Sequence, residues 1–370
     1  MQKRWKQALF IILSLIVGAA FGMALVLLCF AAAPEEASDA PWAVWLLFLL
    51  LLIALYLQML LHEAGHLVFG LLTGYRFCSF RIGSLMLFRG RDGLRFGRFS
   101  LPGTGGQCLL SAPQAQENMP VVLYHLGGCL MNVLIAAVSA AAALLVPGRT
   151  WGGCFLWLLA AVGVGLALMN GVPLKLQMVH NDGRNALELA RSPEARRAMR
   201  QQLIINERQT MGERLRDMPE DWFSVPERLD EADALVCSVG YFALCRALDA
   251  QQDDAALCLG RRLLAQAKAM PGIHRLLVQQ ELLFLSLVRG EPVCEGTDLA
   301  ALERFWKQAK GLPATQRMRY AVAVLRDGDE AAAKKAAQTF EKIAAAYPFA
   351  GELEGEREQM ARVDSGRTVI

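Results

Sequence analysis

Four stretches of this chain are long enough and apolar enough to span a bilayer, which restricts it to a membrane protein. They run over about residues 8–30, 42–61, 121–146 and 151–169, each close to the roughly 20 residues needed to cross the hydrocarbon core of a bilayer. Lipid offers no partner to a backbone N–H or C=O, so spanning segments must pair these groups internally, and α-helices are predicted for all four. The first stretch has a rival reading as a signal peptide, with Lys3, Arg4 and Lys6 at its start and "AAAP" at 31–34. Its apolar run exceeds the ~7–15 residues of a leader's core, which favours a retained helix.

The bases orient these helices. Up to Gly183 there are 11 Lys+Arg and 7 Asp+Glu; the remainder holds 27 and 28. Lys3, Arg4 and Lys6 precede the first helix, and Arg76, Arg81, Arg89, Arg91, Arg95 and Arg98 lie between the second and third. Lys175 follows the fourth, whereas the loop "PEEASDAP" carries acids alone. The positive-inside rule then predicts four spans with both termini cytosolic, Arg149 being the one base left outside. Such a chain belongs in a plasma membrane of bacterial type, in contact with the lipid bilayer.

The segment between the second and third helices is more than a linker. Aromatic and β-branched residues flank "GRDG" at 90–93, which predicts a β-hairpin over about 76–101 at the inner membrane surface. A basic amphipathic loop touching anionic lipid is the plainer alternative.

The second apolar run ends in "HEAGH", His62 to His66, and its helix is expected to continue to about residue 72. On a helix this spacing puts two imidazoles on one face a turn apart, where they can share a metal, with Glu63 placed as a general base. Ionisable groups in a membrane helix are costly, and a zinc ion is the partner that offsets three of them within five residues. Twenty residues separate Trp42 from His62, about 30 Å of helix, so the site is expected toward the cytoplasmic end. A catalytic zinc keeps three protein ligands and leaves the fourth position to water. His125 and His274 read as packing or interface residues. "MNGVPLKLQMVHNDG", after the fourth helix, offers His180 and Asp182, and both could reach the ion.

HEAGH at the end of one membrane helix, with N-x-x-P and D-G (Asp182–Gly183) after a later one, resembles the site-2 protease family of intramembrane zinc metalloproteases. The resemblance covers approximately residues 42–190. It implies Zn²⁺ held by His62, His66 and Asp182, Glu63 as general base, and a transmembrane protein or peptide as substrate. "GGCLMNVL" resembles the family's G-x-x-x-N element, which implies that Asn132 points at the active centre as a catalytic residue; Asn132 or Asn170 could donate to the developing oxyanion. One departure is that twelve positions separate Asn170 from Asp182, more than the family's usual spacing, which leaves His180 open as a rival ligand. Another is that no PDZ-like module interrupts the site.

From Arg184 onward, apolar residues recur at i, i+3 and i+4, with "VRGEP", "GLP" and "RDGD" as turns. This predicts a stack of antiparallel helix pairs with a possible protein partner, and a frayed tail in "ARVDSGRTVI". A near-neutral half of this kind excludes nucleic acid as a partner. The nine cysteines form no C-x-x-C pair and read as free thiols. The expected fold class is an α-helical integral membrane protein: a transmembrane metalloprotease domain over 1–183 and an all-α, helical-repeat-like cytosolic domain over 184–370. Its helices lie at about 8–30, 42–72, 121–146 and 151–170, with the membrane-surface hairpin between the second and third. A non-proteolytic scaffold with a structural zinc is the competing reading, and a metal transporter a weaker one.

Overall fold

The computed structural model describes residues 21–102, 104–112, 120–174, 180–294 and 296–366. Among them three helices are long and apolar enough to cross a membrane: α2 (Pro41–Leu72), α3 (Val121–Leu145) and α4 (Trp151–Gly171). The first expected span falls largely outside the described residues; the part described, α1 (Phe21–Ala32), is a shorter apolar helix. Only a small share of α2 is buried. Trp45, Phe48, Leu49 and Leu52 stand exposed along it, a pattern that lipid tolerates and water does not.

The chain forms two compact units. Of the described residues, one takes those up to Val68 together with Leu126–Val172, and the other joins those of Phe69–His125 to those from Pro173 on. This division cuts across the change in composition near residue 184.

In the first unit, small residues let helices approach closely, the packing mode available where lipid removes the hydrophobic drive. Ala33, Ala54, Cys154, Leu158 and Val162 form its buried cluster. Thr150 caps α4 by accepting from Gly153 N–H at 3.0 Å. Arg149 donates to the carbonyls of Ala33, at 2.7 Å, and of Phe30, so the one base expected outside closes orphan carbonyls at the end of α1.

The second unit opens with an antiparallel sheet of four strands in the order β3-β2-β1-β4. These are β1 (Arg76–Ile82), β2 (Leu85–Gly90), β3 (Gly93–Arg98) and β4 (Gly106–Ser111). The predicted turn is where the sequence placed it, with Gly90 opposite Gly93 and Arg91–Asp92 between. The two-stranded hairpin was too small, however. "QCLLS", beyond the Gly-rich "PGTGG", returns to pair with β1 and buries Cys108, Leu110 and Ser111. Ser79 lies opposite Phe88 and Arg81 opposite Met86, all four buried. Met86 and Phe88, joined by Phe99 just past β3, enter one core with Phe284, Trp306, Phe340 and Tyr347. That shared core explains why the strands belong with the helical domain.

The helices of this unit are α5 (Asp182–Arg191), α6 (Pro193–Thr210), α7 (Ala234–Asp249), α8 (Asp253–Gln266), α9 (Gly272–Val288), α10 (Leu299–Gln308), α11 (Pro313–Ala321), α12 (Glu330–Ala344) and α13 (Ala350–Gly366). Successive helices pack together, α6 on α7, α7 on α8 and α8 on α9. Arg317 is buried among them, donating to Glu281 at 2.5 Å and Glu356 at 2.6 Å, with its guanidinium 4.1 Å from the Phe284 ring. The expected frayed tail is corrected as far as it is described. Val363 is fully buried, and Tyr320 Oη donates to Asp364 at 2.5 Å, so apolar packing carries α13 to Gly366. All nine cysteines are free.

Candidate metal centre

His62, Glu63 and His66 lie on α2, each 8% exposed. A helix brings residues four apart to one face, and the two Nε2 atoms stand 3.2 Å from each other with the rings at 84°. This separation can be tested against a metal. Two nitrogens at 2.0–2.1 Å from a tetrahedral ion are about 3.3 Å apart. The pair therefore fits a zinc-sized cation, with an imidazole on either side and apolar helices around.

Glycines bring α3 up to this face. A Cβ on Gly65 would lie 2.3 Å from the carbonyl oxygen of Gly127, and one on Gly128 would lie 2.6 Å from the His62 ring. No other residue type fits either position at this approach. One turn further along α3, Asn132 is fully buried, and its Oδ1 lies 2.6 Å from His62 Nδ1. Its amide nitrogen donates to the Gln58 carbonyl at 2.9 Å and to Gln58 Oε1 at 2.7 Å. Both amide hydrogens are thus committed to Gln58. The Oδ1 that remains faces the imidazole of His62. Asn170, the other candidate donor, bonds its own helix at the carbonyl of Leu166, 3.1 Å away.

Sequence reasoning missed two neighbours. Gln58 is one turn before His62, and an amide inside an otherwise apolar run was the available signal. Cys129, on α3, has its sulfur within 4.8 Å of a His62 ring nitrogen. Nothing in its sequence context separates it from the other cysteines.

Asp182 and His180 belong to the second unit. Asp182 is the first residue of α5 and is half-buried; Asn181 caps that helix, its Oδ1 accepting from Arg184 N–H at 3.0 Å and from Leu174 N–H at 3.1 Å. His180 Nδ1 lies 3.6 Å from Glu188, whose carboxylate also accepts from Arg184 at 3.0 Å. Among the remaining histidines, His125 lies beside Tyr124 with the rings tilted at 59° and their centres 4.9 Å apart, and His274 contacts Ser238 Oγ at 3.0 Å. Burial holds the His274 imidazole well below its usual range, at about 4, so it is a neutral packing residue.

A model of Peptidase family M50 matches residues 50–353 of the chain. No curated protein and no solved structure matches it.

Proposed function

The chain belongs to peptidase family M50, the site-2 protease family of membrane metalloproteases, and from that premise we propose that it is an intramembrane zinc endopeptidase. It would hydrolyse peptide bonds in or near the transmembrane segments of membrane proteins or membrane-bound peptides. The observation that carries this reading is the pair of buried imidazole nitrogens 3.2 Å apart beside Glu63.

His62 and His66 would hold Zn²⁺ through Nε2. Asp182 is the proposed third ligand, supported by the Asp–Gly pair at the start of α5 and by the approach of His180 Nδ1 to Glu188, 3.6 Å away. The chemistry that zinc would supply there is that of a Lewis acid, acidifying water and polarising the scissile carbonyl. Glu63 accepts the proton from the attacking water on its carboxylate and passes it to the leaving amine. Burial among apolar helices keeps bulk water from the carboxylate. A scaffold with a structural metal would need no carboxylate between the histidines, so Glu63 favours the enzyme.

A substrate helix hides its carbonyls and must become extended before attack. An edge strand offers such a chain backbone partners. The segment "SLMLF" enters β2, which is paired on both sides. Among the described residues the sheet's edge strands are β3 and β4, and at the end of β3 Arg98 N–H already donates to the Ala346 carbonyl at 2.7 Å. On β3, Leu94 and Phe96 are exposed, with Arg89 opposite Leu94, a combination suited to the cytosolic lipid surface or to an added substrate strand.

Comparing membrane proteomes of cells that carry wild type or Glu63→Gln tests the proposal. The expected result is one or more membrane proteins that persist uncleaved only with the variant, while zinc content is unchanged. Identical proteomes under every condition in which the protein is made would refute the activity.

A further inference from the structure

Gln58 and Asn132 are each fully buried in the apolar unit. Burying an uncompensated amide in such surroundings is unfavourable, so the partners of both side chains are informative. They form one chain of hydrogen bonds across three helices. Gln58 Nε2, on α2, donates to the carbonyl of Leu159 on α4 at 2.9 Å. Asn132 Nδ2, on α3, donates to Gln58 Oε1 at 2.7 Å and to the Gln58 backbone carbonyl at 2.9 Å. Asn132 Oδ1 then faces His62 Nδ1 at 2.6 Å.

The direction of this chain is set by its ends. A backbone carbonyl can only accept. Leu159 O therefore demands the NH₂ end of the Gln58 amide, which turns Oε1 toward Asn132. The Gln58 backbone carbonyl and Oε1 both demand the NH₂ end of Asn132, which leaves Oδ1 for His62. Turning either amide over would set acceptor against acceptor. His62 Nδ1 must consequently carry a hydrogen, which in the neutral ring leaves the Nε2 lone pair on the side of His66. The choice of tautomer normally depends on what the other ring nitrogen bonds.

We infer that Gln58 and Asn132 are positioning residues that lock His62 in the Nδ1–H tautomer before any metal arrives, with the fixed carbonyl of Leu159 as the anchor. The proposal rests on the reading of His62 as a zinc ligand, and it adds that this ligand is prepared by α4, a helix that contributes nothing to H-E-x-x-H. Gly163 is part of the device. A Cβ at this position on α4 would lie 2.5 Å from Gln58 Nε2 and 3.0 Å from the Asn132 carbonyl, so only glycine lets the glutamine amide pass between the helices.

The test uses the full chain in detergent micelles, labelled with ¹⁵N-histidine and freed of metal. Ring ¹⁵N shifts distinguish a protonated from a bare nitrogen, and comparison with His62→Gln assigns the resonances. In the wild type, His62 is expected to show a protonated Nδ1 and a bare Nε2. Gln58→Met keeps the volume and removes the amide. It should shift the His62 nitrogens toward a mixture of tautomers and weaken zinc binding, measured against a chromophoric chelator, by about 10-fold, the lower end of the effect for outer-sphere partners. A wild-type His62 protonated at Nε2 overturns the inference without any variant. So does a Gln58→Met protein with wild-type shifts and wild-type zinc affinity. None of these readouts depends on proteolysis, so failure of the relay and failure of the protease reading are separable. Loss of cleavage in Glu63→Gln bears on the latter alone.

Discussion

Replacing Gly65 by alanine puts the helix–helix approach itself under test. The new Cβ would sit 2.3 Å from the Gly127 carbonyl oxygen and 2.6 Å from Met131 Cβ, where even a tight contact needs 3.0–3.4 Å. Backbone and Cβ atoms on both sides cannot swing away as a flexible side chain would, so α2 and α3 must separate by about 1 Å. His62 moves with α2 and Asn132 with α3. Their 2.6 Å hydrogen bond would open to about 3.6 Å, beyond the useful range. Leaving this buried pair unsatisfied costs roughly 1–3 kcal/mol. Losing the orienting partner of a metal-bound histidine lowers metal affinity about 10- to 100-fold. Gly65→Ala is therefore expected to bind zinc at least 10-fold more weakly in a chelator competition. Cleavage should fall further, about 100-fold, as expected for a 1 Å misplacement of catalytic groups. Gly152→Ala, where nothing lies within 4 Å of the added Cβ, is the control and should match the wild type in both assays. If Gly65→Ala holds zinc within twofold of wild type, the close approach does not position the histidines and the reasoning fails.

Two further expectations concern the second unit. Zinc retention should fall sharply in Asp182→Ala and little in His180→Ala, read by metal analysis after dialysis against a weak chelator; the reverse order would make His180 the third ligand. The second is a two-sided pH dependence of thermal unfolding of the full chain in micelles. Burial, with the charge of Glu356 adding to it, pushes the Glu352 carboxyl up from 4.5 to about 8. Between those limits the folded chain keeps a proton that the unfolded chain releases, so stability falls as pH rises. His274 works the other way. Burial lowers it from 6.5 to about 4, so in that window the unfolded chain takes a proton that the folded chain refuses, and stability falls as pH drops. Glu352→Gln should flatten the alkaline limb and His274→Phe the acid one; unaltered curves would show that neither group titrates as its burial requires.

The parts of this fold that sequence revealed were those governed by a short period or a fixed spacing. Lipid-length apolar runs marked α2, α3 and α4, and the 62/66 spacing put both imidazoles on one face. The Gly90–Gly93 turn was legible because two-residue hairpin turns need particular residues. What stayed hidden depended on partners distant in the chain. β4 pairs with β1 across about 30 residues, and neither strand carries a mark of the other. Phe99 reads as hairpin and Tyr347 as distant helical domain, yet their rings lie 5.9 Å apart in one core. Asn132 was recognised as a site residue, but its hydrogen-bond partners were not legible. Its task depends on which of its atoms faces the histidine, and only Gln58 decides that.

Polar relay and glycine pattern in the first unit are best understood as one device. Apolar helices in lipid gain little from hydrophobic association, so their spacing is set by what can pass between them. A polar side chain that crosses such an interface must find its partner inside the protein, and it needs room to do so. Gly128 gives that room to the His62 ring, Gly163 to the Gln58 amide, and Gly65 lets the two backbones close around both. Removing a glycine would thus act on hydrogen bonds that the glycine does not make. Removing an amide would leave the helices close together around an unfilled demand. For this reason the small residues of α3 and α4 carry as much information about the site as H-E-x-x-H does. They specify where polar groups cross, and the fixed carbonyls at the ends of the crossing specify which way each amide and imidazole must point.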